Sequence, residues 1–403
     1  MNILFLHRNF PAQFRHLLLH LMKDKGNRIA FLTNKKDAKL DGITTGVYEL
    51  TRKVDEKAHR YLKDYEESVI HGQCAARLAI KLKKSGFVPD IIFGHSWGPI
   101  SFMKDVFPGV PLIGYFEWFY NSRNSDADFG RKGPLSLDTQ ASIRIKNSHL
   151  LVDLYTCDGG IVPTEWQKSQ FPHEFKNKLT TIHDGVDTTF FKPAETINGL
   201  SIPGVGLHIP PGKEIVTYAT RGMEPYRGFP QFMEAASLLL KQRPDCHIVI
   251  SGRDTVSYGP KPSNGKTFKE IMLEKYDYDM TRLHFTGFLP YHHYLQVLQA
   301  SSAHVYLTYP FVLSWSMLEA MSAGCALIAS NTPPVTEVIQ DNRNGFLVDF
   351  FSPEKLVEKI SFVLDNARAM DPIRHAARQT IMERYDQGMC LERQMAYLKG
   401  YLG

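Results

Sequence analysis

Short apolar runs alternate with longer helical stretches along this chain, in two successive series, and that alternation restricts the fold more than any other feature. The first series places strand-like runs at 2–7, 28–33, 90–94, 111–116, 160–162 and 179–182, with helical patterns near 12–25 and 55–85. The second places strands at 215–219, 247–250, 284–285, 304–307, 326–329 and 346–348, with helices at 229–242, 291–300, 333–339 and 353–365. Strands that are apolar throughout are buried on both faces, which predicts parallel sheets covered by helices. Between the two series, Pro203, Gly204, Gly206, Pro210, Pro211 and Gly212 mark 193–213 as a linker or irregular excursion. The expected architecture is α/β: two doubly wound, Rossmann-like domains, 1–195 and 196–403, facing a cleft, with a terminal helix from 372 onward.

A chain of 403 residues suits two domains at ~150 residues each or a little more. None of its apolar runs approaches the ~20 residues that span a bilayer, and residues 1–7 enter a strand-like run directly, without a basic leader or cleavage site. A cytoplasmic location is therefore expected. The net charge of +5 suits anionic substrates or peripheral association at the inner membrane face, and does not single out nucleic acid. Five cysteines are scattered singly, without metal-ligand spacing, as expected of reduced thiols, and no metal or cofactor is expected.

The chemistry concentrates in two stretches. Residues 309–324 lie between apolar runs at 303–307 and 325–329. Ser316 reads as an N-cap, Glu319 three residues later completes a capping-box spacing, and Gly324 is a fitting stop. A strand turning sharply into a helix offers free N–H groups and a positive dipole end to an anion such as a diphosphate. Arg221, Gly222, Arg227 and Gly228 follow the first strand of the second series. Guanidinium forks there, with glycines allowing close backbone approach, suit the same anion. The 117–137 stretch lacks periodicity and reads as a long loop.

Leu318-Glu319-Ala320-Met321 followed by Gly324 resembles the signature of the family-4 retaining glycosyltransferases of the GT-B fold. That family has two glutamates with seven residues between them, the second holding the donor ribose. By this resemblance the ribose role falls to Glu319, and Phe311 stands where the first glutamate would be. Arg221 matches the family's arginine, and Arg227 stands in for its lysine. The segment 183–193 is similar to the family's turn at the end of the first domain, and Glu337 with Asn344-Gly345-Phe346 to its closing segment.

The resemblance implies diphosphate, ribose and donor-sugar roles for Arg221, Arg227, Glu319 and His95, the first three on the second domain and His95 at a strand end of the first. Donor contacts are expected from Gly222, Phe311, Val312, Leu313 and Ser314, from Gly287 and Phe288 near the base, and from Gln13. Glu117 follows a strand of the first domain, where a carboxylate either binds acceptor hydroxyls or pairs with a nearby arginine, and it is the candidate acceptor contact. The implied activity is metal-independent, retaining transfer from a nucleotide diphosphate sugar to a glycan, lipid-linked or protein acceptor. Two other readings stay open: an inert nucleotide-sugar-binding subunit, suggested by Phe311, and a GT-B nucleotide-sugar epimerase.

Overall fold

The computed structural model describes residues 1–402 and divides into two compact units, Met1–Gly185 with Gln387–Gly403, and Val186–Asp386. In the first, β1 (Asn2–Leu6), β2 (Arg28–Thr33), β3 (Thr44–Val47), β4 (Ile91–His95), β5 (Leu112–Tyr115), β6 (Gly159–Val162) and β7 (Leu179–Thr181) form one sheet in the order 3-2-1-4-5-6-7. Every pairing in it is parallel. Period-2 alternation sorts its apolar strands onto two cores. Leu4, Leu6, Ile92 and Leu112 pack on one face with Ile70, Ala75 and Leu150; Ile3, Phe5, Phe31 and Phe93 pack on the other with Phe14 and Leu18.

The terminal helix Gln387–Lys399 belongs to this first unit, whereas the sequence pattern placed it with the second domain. Its Leu391 and Leu398 complete the second of these cores, and the Tyr397 hydroxyl accepts the Gly160 N–H at 3.0 Å. The stretch from 372 is also two helices rather than one, since the helix Asp371–Arg384 ends before Tyr385.

In the second unit, β8 (Leu200–Ile202) and β9 (Leu207–Ile209) form an antiparallel pair. They are followed by β10 (Glu214–Gly222), β11 (Cys246–Arg253), β12 (Leu283–Gly287), β13 (Ala303–Tyr306), β14 (Leu327–Ser330) and β15 (Phe346–Val348). These six form a parallel sheet in the order 12-11-10-13-14-15. Residues 200–209 of the expected linker or excursion are thus a structured hairpin, with irregular chain on either side. Ile202 and Ile209 are buried against Ile215, Val249 and Val297, and Gly206 takes the left-handed turn at φ +66°. Prolines and glycines there punctuate a tight turn rather than a flexible crossing.

Both sheets are doubly wound, and each reverses direction beside its first strand: between β1 and β4, and between β10 and β13. Ligands of such sheets bind at the carboxyl ends of the strands at that reversal. The 117–136 stretch contains no helix or strand, as its composition predicts.

Candidate active site

In the second unit Arg221, Arg227 and the 311–319 stretch lie at or just beyond the ends of β10 and β13, the strands that flank the reversal, whereas Gly287 and Phe288 lie at the end of the edge strand β12. Arg221 is exposed at the end of β10. Beyond it the chain turns through Pro225–Arg227 and enters the helix Phe229–Gln242. Gly228 is required there: it sits at φ +66°, and a Cβ would meet Leu307 Cβ at 2.4 Å. Arg227 is buried. Its Nη1 donates to Thr308 Oγ1 at 2.8 Å, the Val312 carbonyl at 3.0 Å and the Tyr306 hydroxyl at 3.2 Å. The remaining Nε and Nη2 donate to nothing among the described residues.

The helix Trp315–Ser322 begins one residue after Ser314, which is its N-cap; Ser314 Oγ accepts the Ser316 N–H at 3.4 Å, and Ser314 N donates to the Tyr306 hydroxyl at 2.9 Å. This corrects the expected capping box. With the cap at 314, Glu319 is the fifth helical residue and too far along to reach back to the first turn. Gly324 does end the helix, at φ +81°, with Gly324 N donating to Met321 O and Cys325 N to Ala320 O, the paired bonds of a Schellman motif.

Glu319 is instead buried, and burial pushes its carboxyl up to about 8. The Tyr294 hydroxyl lies close enough to oppose that rise, without a bond of ordinary geometry. A carboxyl so placed lacks the solvent that would satisfy it, and a ligand's hydroxyl groups would supply the missing donors.

Phe311 is buried between two tyrosines, its ring 5.5 Å from that of Tyr226 and 5.1 Å from that of Tyr258. Leu313 packs into the core with Met317 and Leu318, so of this residue only the backbone remains for a donor. Gly287 takes φ +67° with open space around it, and Phe288 beside it is 67% exposed, with the Arg253 guanidinium 4.5 Å from its ring. An exposed ring under a guanidinium is a stacking platform for a flat ligand.

In the first unit, three residues chosen separately from the sequence lie together. Gln13 Nε2 donates to Glu117 Oε1 at 3.2 Å, and Glu117 Oε2 lies 3.7 Å from His95 Nε2. The sequence reading passed over His7, at the end of β1. Its ring is 4.6 Å from that of His95, and its Nδ1 accepts the Asn9 N–H at 2.8 Å. Burial first, and His95 second, hold His7 well below the usual histidine range, so it is a neutral donor and acceptor. Its position directly after an apolar strand was the available signal. Glu224 and Tyr258 were also missed: the first lies in sequence between Arg221 and Arg227, the second in a segment without periodicity.

Two family models match the chain: the glycosyl transferase family 4 group over residues 25–191, and glycosyl transferases group 1 over residues 206–380. Together they cover most of the sequence. Two glycosyltransferase domain models thus match in succession along the chain, each over most of one of its two Rossmann-like α/β units. Among relatives in sequence, spore coat protein SA of Bacillus subtilis is 26% identical over 52% of this chain and 55% of its own length. An uncharacterised glycosyltransferase of Methanocaldococcus jannaschii is 29% identical over 26% of this chain and 27% of its own. The chain thus spans about half, or less, of the length of these relatives. Among solved structures, HepE of Anabaena in complex with UDP-glucose superposes with a TM-score of 0.70 at 14% identity, covering 99% of this chain and all of that one. Sucrose-phosphate synthase of Thermosynechococcus elongatus gives 0.73 at 14% identity, covering 100% and 99%. At these identities the likeness establishes the shared fold.

Proposed function

We propose that this enzyme moves a sugar from a nucleoside diphosphate sugar to a glycan, lipid-linked or protein acceptor, with retention at the anomeric carbon and without a metal. One observation carries the reading: Arg221, Arg227, the capped start of the helix Trp315–Ser322 and the buried Glu319 lie at or beyond the ends of β10 and β13, the two strands that flank the reversal of the second sheet. Arginine forks neutralise the charge that develops on a departing diphosphate, and fixed donors do so without reorganising during the reaction. No group of three metal-ligating side chains occurs among the described residues, so the reading assigns this neutralisation to the arginines. Glu319 receives the ribose hydroxyls, and the Arg253–Phe288 platform lies at the strand ends where a base would stack. His95, His7, Gln13 and Glu117 supply polar contacts for sugar and acceptor. The structure of HepE with UDP-glucose supports a nucleotide sugar as the donor class.

Phe311 favours a second reading, an inert nucleotide-sugar-binding subunit, because a benzyl ring cannot accept a sugar hydroxyl. Incubating the protein with labelled nucleotide sugars, without acceptor and in excess EDTA, separates these readings. Slow release of free sugar is expected; donor isomerisation would indicate an epimerase, and binding without turnover the inert subunit. Release that stops in EDTA and returns with manganese or magnesium would contradict the metal-independent mechanism.

A further inference from the structure

Residues 254–267, between β11 and the helix Phe268–Lys275, form no helix or strand, yet one carboxylate fixes them to the arginine turn. Glu224 is completely buried, and its Oε2 accepts the backbone N–H groups of both Ser257 and Tyr258, the latter at 2.8 Å. The fit around this contact is close. A Cβ on Gly222 would meet the Thr255 carbonyl at 2.6 Å, and Gly259, at φ +80°, has the Tyr226 ring 3.0 Å from where its Cβ would be. The segment is thereby drawn onto the turn that carries Arg221 and Arg227.

The consequence falls on Tyr258. Its ring lies 5.4 Å from the Arg227 guanidinium carbon and 5.1 Å from the Phe311 ring. Nη1 of Arg227 is fixed by Thr308, Val312 and Tyr306, which secures one corner of the fork. The plane of the fork, and hence the direction of Nε and Nη2, is set by the ring against it. Glu224 Oε1 is buried without a hydrogen-bond partner, so this carboxylate is kept in an unfavourable place by what Oε2 does.

We propose that Glu224 is a positioning residue: by gripping Ser257 and Tyr258 it holds the tyrosine ring against Arg227 and aims that arginine at the donor's diphosphate. This rests on the diphosphate role given to Arg227 above. A misdirected fork loses its bidentate geometry while keeping its charge, so the damage is specific to the second phosphate.

The test compares wild type, Glu224→Ala, Glu224→Gln, Tyr258→Ala and the Glu224→Ala/Tyr258→Ala double variant, titrated with UDP and UMP. Tryptic cleavage after Lys266 is followed without nucleotide. Glu224→Ala should weaken UDP about tenfold while leaving UMP within about twofold, as expected for loss of one charge-assisted contact. Tyr258→Ala should reproduce this and the double variant should add nothing, because both act through one element. Glu224→Gln, which retains an accepting oxygen, should restore most of the UDP affinity. Faster cleavage of Glu224→Ala shows the grip directly. An unchanged ratio of UDP to UMP affinity in Glu224→Ala, with only a lower melting temperature, would overturn the proposal. Should wild type itself not prefer UDP, the diphosphate reading fails, and cleavage alone decides the grip: faster in Glu224→Ala upholds it, unchanged refutes it.

Discussion

At position 319 a carboxyl sits inside the protein with its pKa raised to about 8 from the usual 4.5, chiefly by burial. The unfolded chain releases that proton near 4.5, while the folded chain keeps it until about 8. Folding is therefore favoured most at low pH by this group, and the contribution is lost progressively as pH rises through that window. Glu319→Gln, which resembles the neutral acid, should flatten this part of the stability-against-pH curve. The difference between the two melting curves isolates Glu319 from Asp153, whose carboxyl burial also raises, to about 7. The same variant should bind nucleotide more weakly, since an amide offers one accepting oxygen instead of two. Unaltered nucleotide affinity would remove the ribose role. Phe311 gives a second residue-scale expectation. Packed against Tyr226 and Tyr258, it leaves no room for a solvated carboxylate, so Phe311→Glu should not raise turnover on any donor in a panel. A large gain would identify 311 as a degraded catalytic position.

Among the elements, the helix Trp315–Ser322 shows how far sequence reasoning reaches. Its existence and its stop at Gly324 were legible, because glycine is the residue that adopts φ +81° without strain and the paired terminal bonds follow from that. Its start was misread by two residues. Ser314 and Ser316 are both competent caps, and only the strand end, through the Tyr306 hydroxyl on Ser314 N, chooses between them. That choice carries Glu319 away from the first turn and into the interior. Gly324→Ala should cost about 1–2 kcal/mol from left-handed backbone strain alone, and a Cβ there would also press on Pro193 Cγ at 2.9 Å. Gly204→Ala, where nothing lies within 4 Å, serves as the control and should shift stability by no more than about 0.5 kcal/mol. Equal melting temperatures for the two variants in a thermal denaturation series would refute the stop.

For the whole molecule, two parallel sheets follow from strands without polar alternation, and the arginine, glutamate and histidine candidates fall at the strand reversals that such sheets create. Three things could not be read in the same way. The hairpin of β8 and β9 is too short to show a period, its pairing being fixed by tertiary burial of Ile202 and Ile209. The return of the terminal helix to the first unit depends on Leu391, Leu398 and Tyr397 finding partners far away in sequence. Glu224 and His7 look ordinary in one dimension, because their importance lies in what is packed beside them. In the function proposed for it, the second unit binds a nucleoside diphosphate through its arginines. Arg221 is the cleaner probe, because it is exposed, whereas removing Arg227 would also take a donor away from three buried acceptors. Titration calorimetry of wild type and Arg221→Ala with UDP and UMP tests it directly. Wild type should clearly prefer UDP, and Arg221→Ala should lose about 1.5–3 kcal/mol of that preference with UMP affinity preserved; equal UDP affinities in the two proteins would exclude a diphosphate role for Arg221.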